Sequence, residues 1–188
     1  MSAARVSLAP YAVTALIIAA AAGVLLAMGR EPICTCGEVR LWYGDTYGPG
    51  NSQHISDWYT PSHLIHGFLF YAALWWAVPR LSFGWRLAAA TVVEVAWEIV
   101  ENTDALIERY RGQTVSLDYY GDSVLNSTTD SLTMVLGFWM AARLPVWLTA
   151  AIALGFEILT TLVIRDGLTL NIIMLLWPSE AILEWQSG

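Results

Sequence analysis

Ionisable side chains embedded in hydrophobic segments of membrane-spanning length constrain this chain more than any other feature. The segment TVVEVAWEIVENTDALIERY carries Glu94, Glu98 and Glu101 within one apolar helical pattern. YGDSVLNSTTDSLTMVLGFWMAARL carries Asp122, Asn126 and Asp130, and TPSHLIHGFLFYAALWWAV opens with His63 and His66. An ionised group at the centre of a bilayer costs roughly 2.5–3.5 kcal/mol or more. A chain that keeps several such groups must pair them, neutralise them or use them.

The spacing puts these groups on common faces. Glu94, Glu98 and Glu101 follow i, i+4, i+7, and Asp122, Asn126 and Asp130 follow i, i+4, i+8, each a single stripe of an α-helix. His63 and His66 are i, i+3 neighbours. Stripes of this kind face the interior of a helix bundle or a wet cavity rather than lipid.

Five apolar segments are long enough to cross a bilayer: 11–29, 61–79, 84–106, 123–144 and 146–164. A sixth stretch, 168–185, is interrupted by Pro178 and reads as a short, kinked or re-entrant element. The expected fold class is therefore all-α, a polytopic transmembrane helix bundle of five to six spans forming a single membrane domain over 1–188. The first segment exceeds the 7–15 residues of a signal-peptide core and lacks a small-residue cleavage site after it, so it reads as an uncleaved span.

Helix starts are legible. Thr60-Pro61 reads as an N-cap with proline at the first helical position, Ser82 as the cap of the third span, and Asp122 or Ser123 as the cap of the fourth. Alternation of spans brings the start of the second, the end of the third and the start of the fourth to one membrane face. The histidines, the glutamate stripe and the aspartate stripe then share that face in either orientation. With the N-terminus cytoplasmic, Arg5, Arg80, Arg86 and Arg143 lie inside, mostly on very short loops. The loop 30–60 and the shared polar face are then periplasmic, and the expected location is the bacterial inner membrane.

Acids near this face outnumber permanent cations. Glu94, Glu98, Glu101, Asp104, Asp118, Asp122 and Asp130 are set against Arg109, Arg111 and Arg40. The remedies are neutral carboxyls, a bound divalent metal or a cationic ligand. Histidine with carboxylate suits a transition metal, with His63, His66, Glu101 and Asp122 as candidate ligands and Glu98, Glu101 or Asp130 as candidate acid–base residues. The alternative source of positive charge is an arginine, Arg109 above all, from a loop spanning Glu108–Asp118.

Bland roles compete with each of these. The histidines could be interfacial, the glutamates a structural network with Arg109 and Arg111, and Asn126 interhelical glue. His54 and Asp57, just ahead of the second span, could complete the site or anchor the interface. Glu157, alone in its span, reads as a buried neutral acid. Cys34 and Cys36, in CTC, read as free or strained-paired thiols in a loop.

Several chemistries are excluded. The net charge of -7, with nine arginines and no lysine, argues against a nucleic-acid partner. The absence of lysine rules out a Schiff base. There is no glycine-rich phosphate loop, no G-x-S-x-G and no H-E-x-x-H. Three functions stay open: a membrane enzyme on a lipid or lipid-linked envelope substrate, a non-catalytic accessory protein, and an ion- or proton-coupled transporter with Glu94 and Glu157 as carriers.

The blocks NSQHISDWYTPSHLIHG, WEIVENTD and YGDSVLNSTTDSLTMVLGF resemble a family of small bacterial inner-membrane proteins of uncharacterised function, from about CTCG to the C-terminal WQ. That resemblance implies a multi-pass membrane protein. A more remote pattern is similar to VanZ-like membrane proteins: a histidine early in one span, an acidic segment in the next, then D-x-x-x-N followed by glycine. Here His66, Glu98 or Glu101, Asp122 with Asn126, and Gly137 occupy those places, while the lysine often ahead of the histidine is missing and Asp130 is added. The similarity implies a role at the cell envelope.

Overall fold

The computed structural model describes residues 7–114 and 118–188, so Arg5, used in the orientation argument, lies outside the described residues. All regular structure among the described residues is helical. Five long helices, α1 (Ala9–Ala27), α2 (Thr60–Ala77), α3 (Phe83–Glu101), α5 (Val124–Arg143) and α6 (Val146–Ile164), are joined by three short ones. These are α4 (Asp104–Gln113), α7 (Leu168–Leu176) and α8 (Glu180–Ser187).

Three details differ from the expected boundaries. The third segment ends at Glu101, where Asn102 caps α3, and the chain restarts as α4. Much of the expected Glu108–Asp118 loop is therefore helix, and residues 115–117 of it lie outside the described residues. Thr60 lies inside α2 and Tyr59 is the cap residue, because the Asp57 carboxylate takes the Tyr59 N–H at 2.8 Å. The expected cap at Ser123 is present, accepting from the Asn126 N–H at 3.1 Å. The stretch 168–185 forms two short helices parted at Pro178 rather than one kinked helix.

The bundle is organised around two pairs, α2 against α5 and α1 against α3, with α3 also packed on α2 and α5. The first pair meets backbone to backbone. A Cβ on Gly137 would fall on the Leu64 carbonyl, and one on Gly67 would fall between the Met134 carbonyl and the Phe138 amide. Two glycines facing each other let the helices approach this closely, as small residues do at helix interfaces in membranes. The contact sets His63 and His66, within one turn of Gly67, against Asp130 on α5.

Away from the polar face, Leu87 and Ala90 of α3 and Met134 and Phe138 of α5 form a buried apolar cluster. Ile18, Ala21 and Val95 join α1 to α3. Helix α6 lies at the periphery, with Thr160 its one buried residue. Both α1 and α6 are long and apolar enough to cross a membrane.

Candidate functional site

Glu94 is the hub. Helix α3 presents Leu87, Thr91, Glu94 and Glu98 along one buried stripe, so the glutamate enters the bundle just above the apolar cluster. Its Oε1 accepts from His63 Nδ1 at 2.7 Å and its Oε2 from His66 Nδ1 at 3.0 Å. The i, i+3 spacing turns both imidazoles to the same side of α2, their rings edge to face with centroids 5.2 Å apart. His66 also stacks on Phe70. One ligand atom from each of His63, His66 and Glu94 falls within 4.8 Å of the other two.

The remaining acids surround this group unequally. Glu98 Oε1 lies 3.3 Å from His63 Nδ1 but makes no hydrogen bond. Asp130 Oδ2 faces the other nitrogen of His63 at 3.8 Å, while its Oδ1 accepts from the Thr60 hydroxyl at 3.2 Å. Glu101 is further along α3, with its Oε1 held by the Tyr110 hydroxyl at 2.8 Å. Asp122 belongs to a clasp between α3 and α5. Its carboxylate accepts from Asn102 Nδ2 at 2.8 Å and the Tyr119 hydroxyl at 2.9 Å, and its backbone N–H donates to Asn102 Oδ1 at 2.7 Å. Burial pushes the Asp122 carboxyl up to about 6, against the two hydrogen bonds that favour its ionised form.

Asn102 is the residue on which that clasp depends. Asn102→Ala leaves the buried Asp122 N–H and one carboxylate oxygen without partners. Each buried polar group left unsatisfied costs about 1–3 kcal/mol, so the variant is expected to lose about 2–4 kcal/mol. Denaturant unfolding in detergent measures this, and a loss under 0.5 kcal/mol would show that the clasp does not hold the helix ends together.

His54, Asp57 and Asn126 build a cover over the site rather than entering the histidine group. Asn126 Nδ2 donates to the His54 carbonyl at 2.9 Å, and Ser123 and Thr129 donate to the carbonyls of Gln53 and Ile55. The cap residue Ser123 and two side chains of α5 thus grip the segment 53–55. The His54 Nδ1 accepts the Arg40 N–H at 3.3 Å. Burial lowers its pKa and Arg40 lowers it further. Asp57 accepts from the Ser52 and Tyr59 amides and organises the entry into α2. Burial raises its pKa against those two bonds.

Arg109 and Arg111 do not line the site. Arg109 Nε donates to the Leu175 carbonyl at 2.7 Å, tying α4 to α7, and Arg111 bonds the Tyr119 carbonyl. The expected network of glutamates with Arg109 and Arg111 does not form. Asp104 is exposed and pairs with Arg30 at 3.2 Å, and Asp118 is exposed. Glu157 accepts the amides of Leu168 and Thr169 at 2.9 and 3.0 Å and so caps α7 instead of standing as an unpartnered acid. Cys34 and Cys36 are joined in a disulfide.

A cavity of about 400 Å³ lies between α2, α3, α5 and α7. His63, His66, Glu101, Asp122, Asn126 and Asp130 line its polar part, and Leu69, Val93, Leu168 and Ile172 its apolar part. Glu94 and Glu98 stand behind His63. Trp97, Asn102, Tyr110 and Asn171 are not marked by the sequence pattern, and Thr60 is marked only as a helix cap. Asn102 lies within WEIVENTD, and its position just past the glutamate stripe was the available signal. Nothing local marks Asn171, which reaches the site only because α7 folds back.

The family described as "Protein of unknown function (DUF2585)" matches residues 25–188. A UPF0314 protein of Paracoccus denitrificans is 69% identical over 180 residues, covering 96% of this chain and 93% of the relative. The UPF0314 protein of Sphingopyxis alaskensis is 51% identical, covering 95% of each chain. UPF0314 protein Atu8092 of Agrobacterium fabrum is 54% identical, covering 88% of this chain and 83% of the relative. No solved structure matches. With the family model spanning most of the chain and these relatives aligned almost end to end, the protein belongs to the DUF2585 family.

Proposed function

We propose that this chain is a multi-pass inner-membrane protein whose histidine–carboxylate cavity holds a divalent metal and acts on a lipid or lipid-linked envelope substrate. The observation that carries this reading is the convergence of two imidazoles and both oxygens of one buried carboxylate, beside a cavity with an apolar wall. Two histidines and a glutamate are ligands that suit zinc and its transition-metal neighbours. An ion at this point would replace the two protons that now link Glu94 to the histidines. Glu98, with an unpartnered buried oxygen, adds a fourth donor in reach.

Bilayer embedding is supported by length and by faces. The five long helices have 18–20 residues, about 27–30 Å at 1.5 Å per residue. α2 turns His63 inward, α3 and α5 turn Glu94, Glu98 and Asp130 inward, and the same helices leave Trp76, Val92, Leu132 and Leu136 exposed. We assign these five helices as spans, and α7 and α8 as a short element at the site's face. With the N-terminus cytoplasmic, that face and loop 30–60 are periplasmic. The VanZ-like pattern points to the same cell-envelope setting.

A bound divalent ion supplies Lewis acidity to a substrate oxygen or a water. His63, His66 and Glu94 would hold that ion. Asp130, on the cavity wall within reach of His63, serves as general base, and Tyr110 holds Glu101 in place. The apolar wall takes the hydrocarbon part of the substrate. Transport has less support, because the Leu87–Ala90–Met134–Phe138 cluster closes the bundle directly beyond Glu94 and Glu157 is occupied at α7.

Metal content tests the reading. Protein purified without chelators should carry close to one transition-metal ion per chain. His66→Ala should reduce this at least tenfold, and Arg109→Ala should leave it unchanged. Folded wild-type protein that is metal-free and takes up none from micromolar zinc, manganese or iron would remove the metal and with it most support for an enzyme.

A further inference from the structure

The cavity's charge and its aromatic walls indicate what kind of head group it takes. Glu101, Asp122 and Asp130 line it, and no arginine does among the described residues. The chain has no lysine to supply. The arginines nearest in sequence are directed elsewhere, Arg109 to Leu175 and Arg111 to Tyr119. Phe70, Trp97, Tyr59, Tyr110 and Tyr119 also line the space. An anionic head group would meet these carboxylates with no arginine among the described lining residues to offset them. An ammonium meets what favours it, carboxylates for charge and aromatic rings for the cation.

The buried Glu98 adds one more acid beside His63. Its side chain is 2% exposed, and Oε1 has no hydrogen-bond partner although it points toward His63. It lies on the same helix stripe as Glu94 and Glu101, one turn from each. Three carboxyls thus meet the histidines, and Glu101 and Asp122 line the cavity as well. A divalent ion at His63, His66 and Glu94 leaves the end of the cavity near Glu101 and Asp122 still acidic.

We propose that this end binds the ammonium group of an amphiphile whose hydrocarbon chain lies along Leu69, Val93, Leu168 and Ile172. The inference rests on the reading of the cavity as a lipid-substrate site and adds the head-group class: cationic or zwitterionic through an ammonium, rather than a bare phosphate or sulfate. The amine end is held at Glu101 and Asp122, which line the cavity together with these apolar residues.

Calorimetric titration of full-length protein in maltoside micelles tests this with four probes: octyltrimethylammonium, octyl phosphate, octyl glucoside and tetramethylammonium. Octyltrimethylammonium should bind at least tenfold more tightly than octyl phosphate or octyl glucoside. It should also bind at least tenfold more tightly than tetramethylammonium, which separates a lipid-like ligand from a free soluble amine. Glu101→Gln should weaken it at least tenfold. Trp97→Leu should weaken it about fivefold while leaving octyl glucoside within twofold. The titration is repeated after chelator treatment, where the preference should persist, because it does not depend on the metal. Equal binding of the three octyl probes, or preference for the phosphate, overturns the ammonium proposal and leaves the metal measurement untouched. Equal binding of tetramethylammonium and octyltrimethylammonium overturns the amphiphile part. A metal-free protein that still prefers octyltrimethylammonium retains this proposal while the metal reading fails.

Discussion

Gly137→Val is expected to destabilise the protein by about 3 kcal/mol or more, the upper end of the usual cost of overpacking a core. The position explains the size. A Cβ there lands on the backbone carbonyl of Leu64, so no side-chain rotation relieves the collision. The helices must part, and α2 carries both histidines while α5 carries Asp130. Gly137→Ala should lie between wild type and valine. Gly155→Val on α6 is the control, because nothing lies within 4 Å of its added Cβ, and it should change stability by under 1 kcal/mol. Thermal or denaturant unfolding in detergent ranks the three. Valine at both positions giving the same small change would refute the close backbone contact of α2 with α5, and with it the placement of the site.

Glu94→Ala is expected to have the largest effect on the site itself. It removes the one group among the described residues that bonds both histidines, leaving two Nδ1 positions without that partner. Breaking a buried charged pair from one side costs about 3–5 kcal/mol. Metal content should fall at least tenfold. Glu94→Gln keeps the volume but offers one acceptor in place of two, so it should recover much of the stability and little of the metal. That split separates a ligand from a packing residue. If Gln restores both, Glu94 acts through hydrogen bonding alone. If Ala leaves metal content unchanged, the ion, where present, sits elsewhere.

The stripes Glu94–Glu98–Glu101 and Asp122–Asn126–Asp130 and the pair His63, His66 were legible because helical periodicity places them whatever the surroundings. Their convergence on one face followed from alternation of the segments. Which carboxylate meets the histidines was not legible. The ligand set expected from the pattern used Glu101 and Asp122, while the carboxylate in contact is Glu94. Periodicity gives the side of a helix but not the depth at which two helices cross, and the crossing of α2 on α5 at Gly67 and Gly137 sets that depth.

The loops were less readable still. Asn126 looked like a site residue or interhelical glue, and it grips the cover at His54. Arg109 looked like the site's counter-charge, and α4 carries it to the Leu175 carbonyl instead. Glu157 looked like an unpartnered acid until α7 turned its N-terminus onto it. Each of these depends on a contact between segments far apart in the chain, for which no local pattern exists.

By itself the sequence determined the helical class, the ends of four of the five long segments to within two residues, and the fact that acids and histidines share one end of the bundle. These are consequences of local periodicity and of the cost of exposing charge to an apolar surround. The tertiary structure alone decided that Glu94 bridges the histidines, that Asn102 clasps Asp122, and that aromatic rings and an apolar wall complete the cavity. Those outcomes rest on helix crossing depth and on the return of α7 over the site, and both are set by side-chain packing summed over the whole bundle.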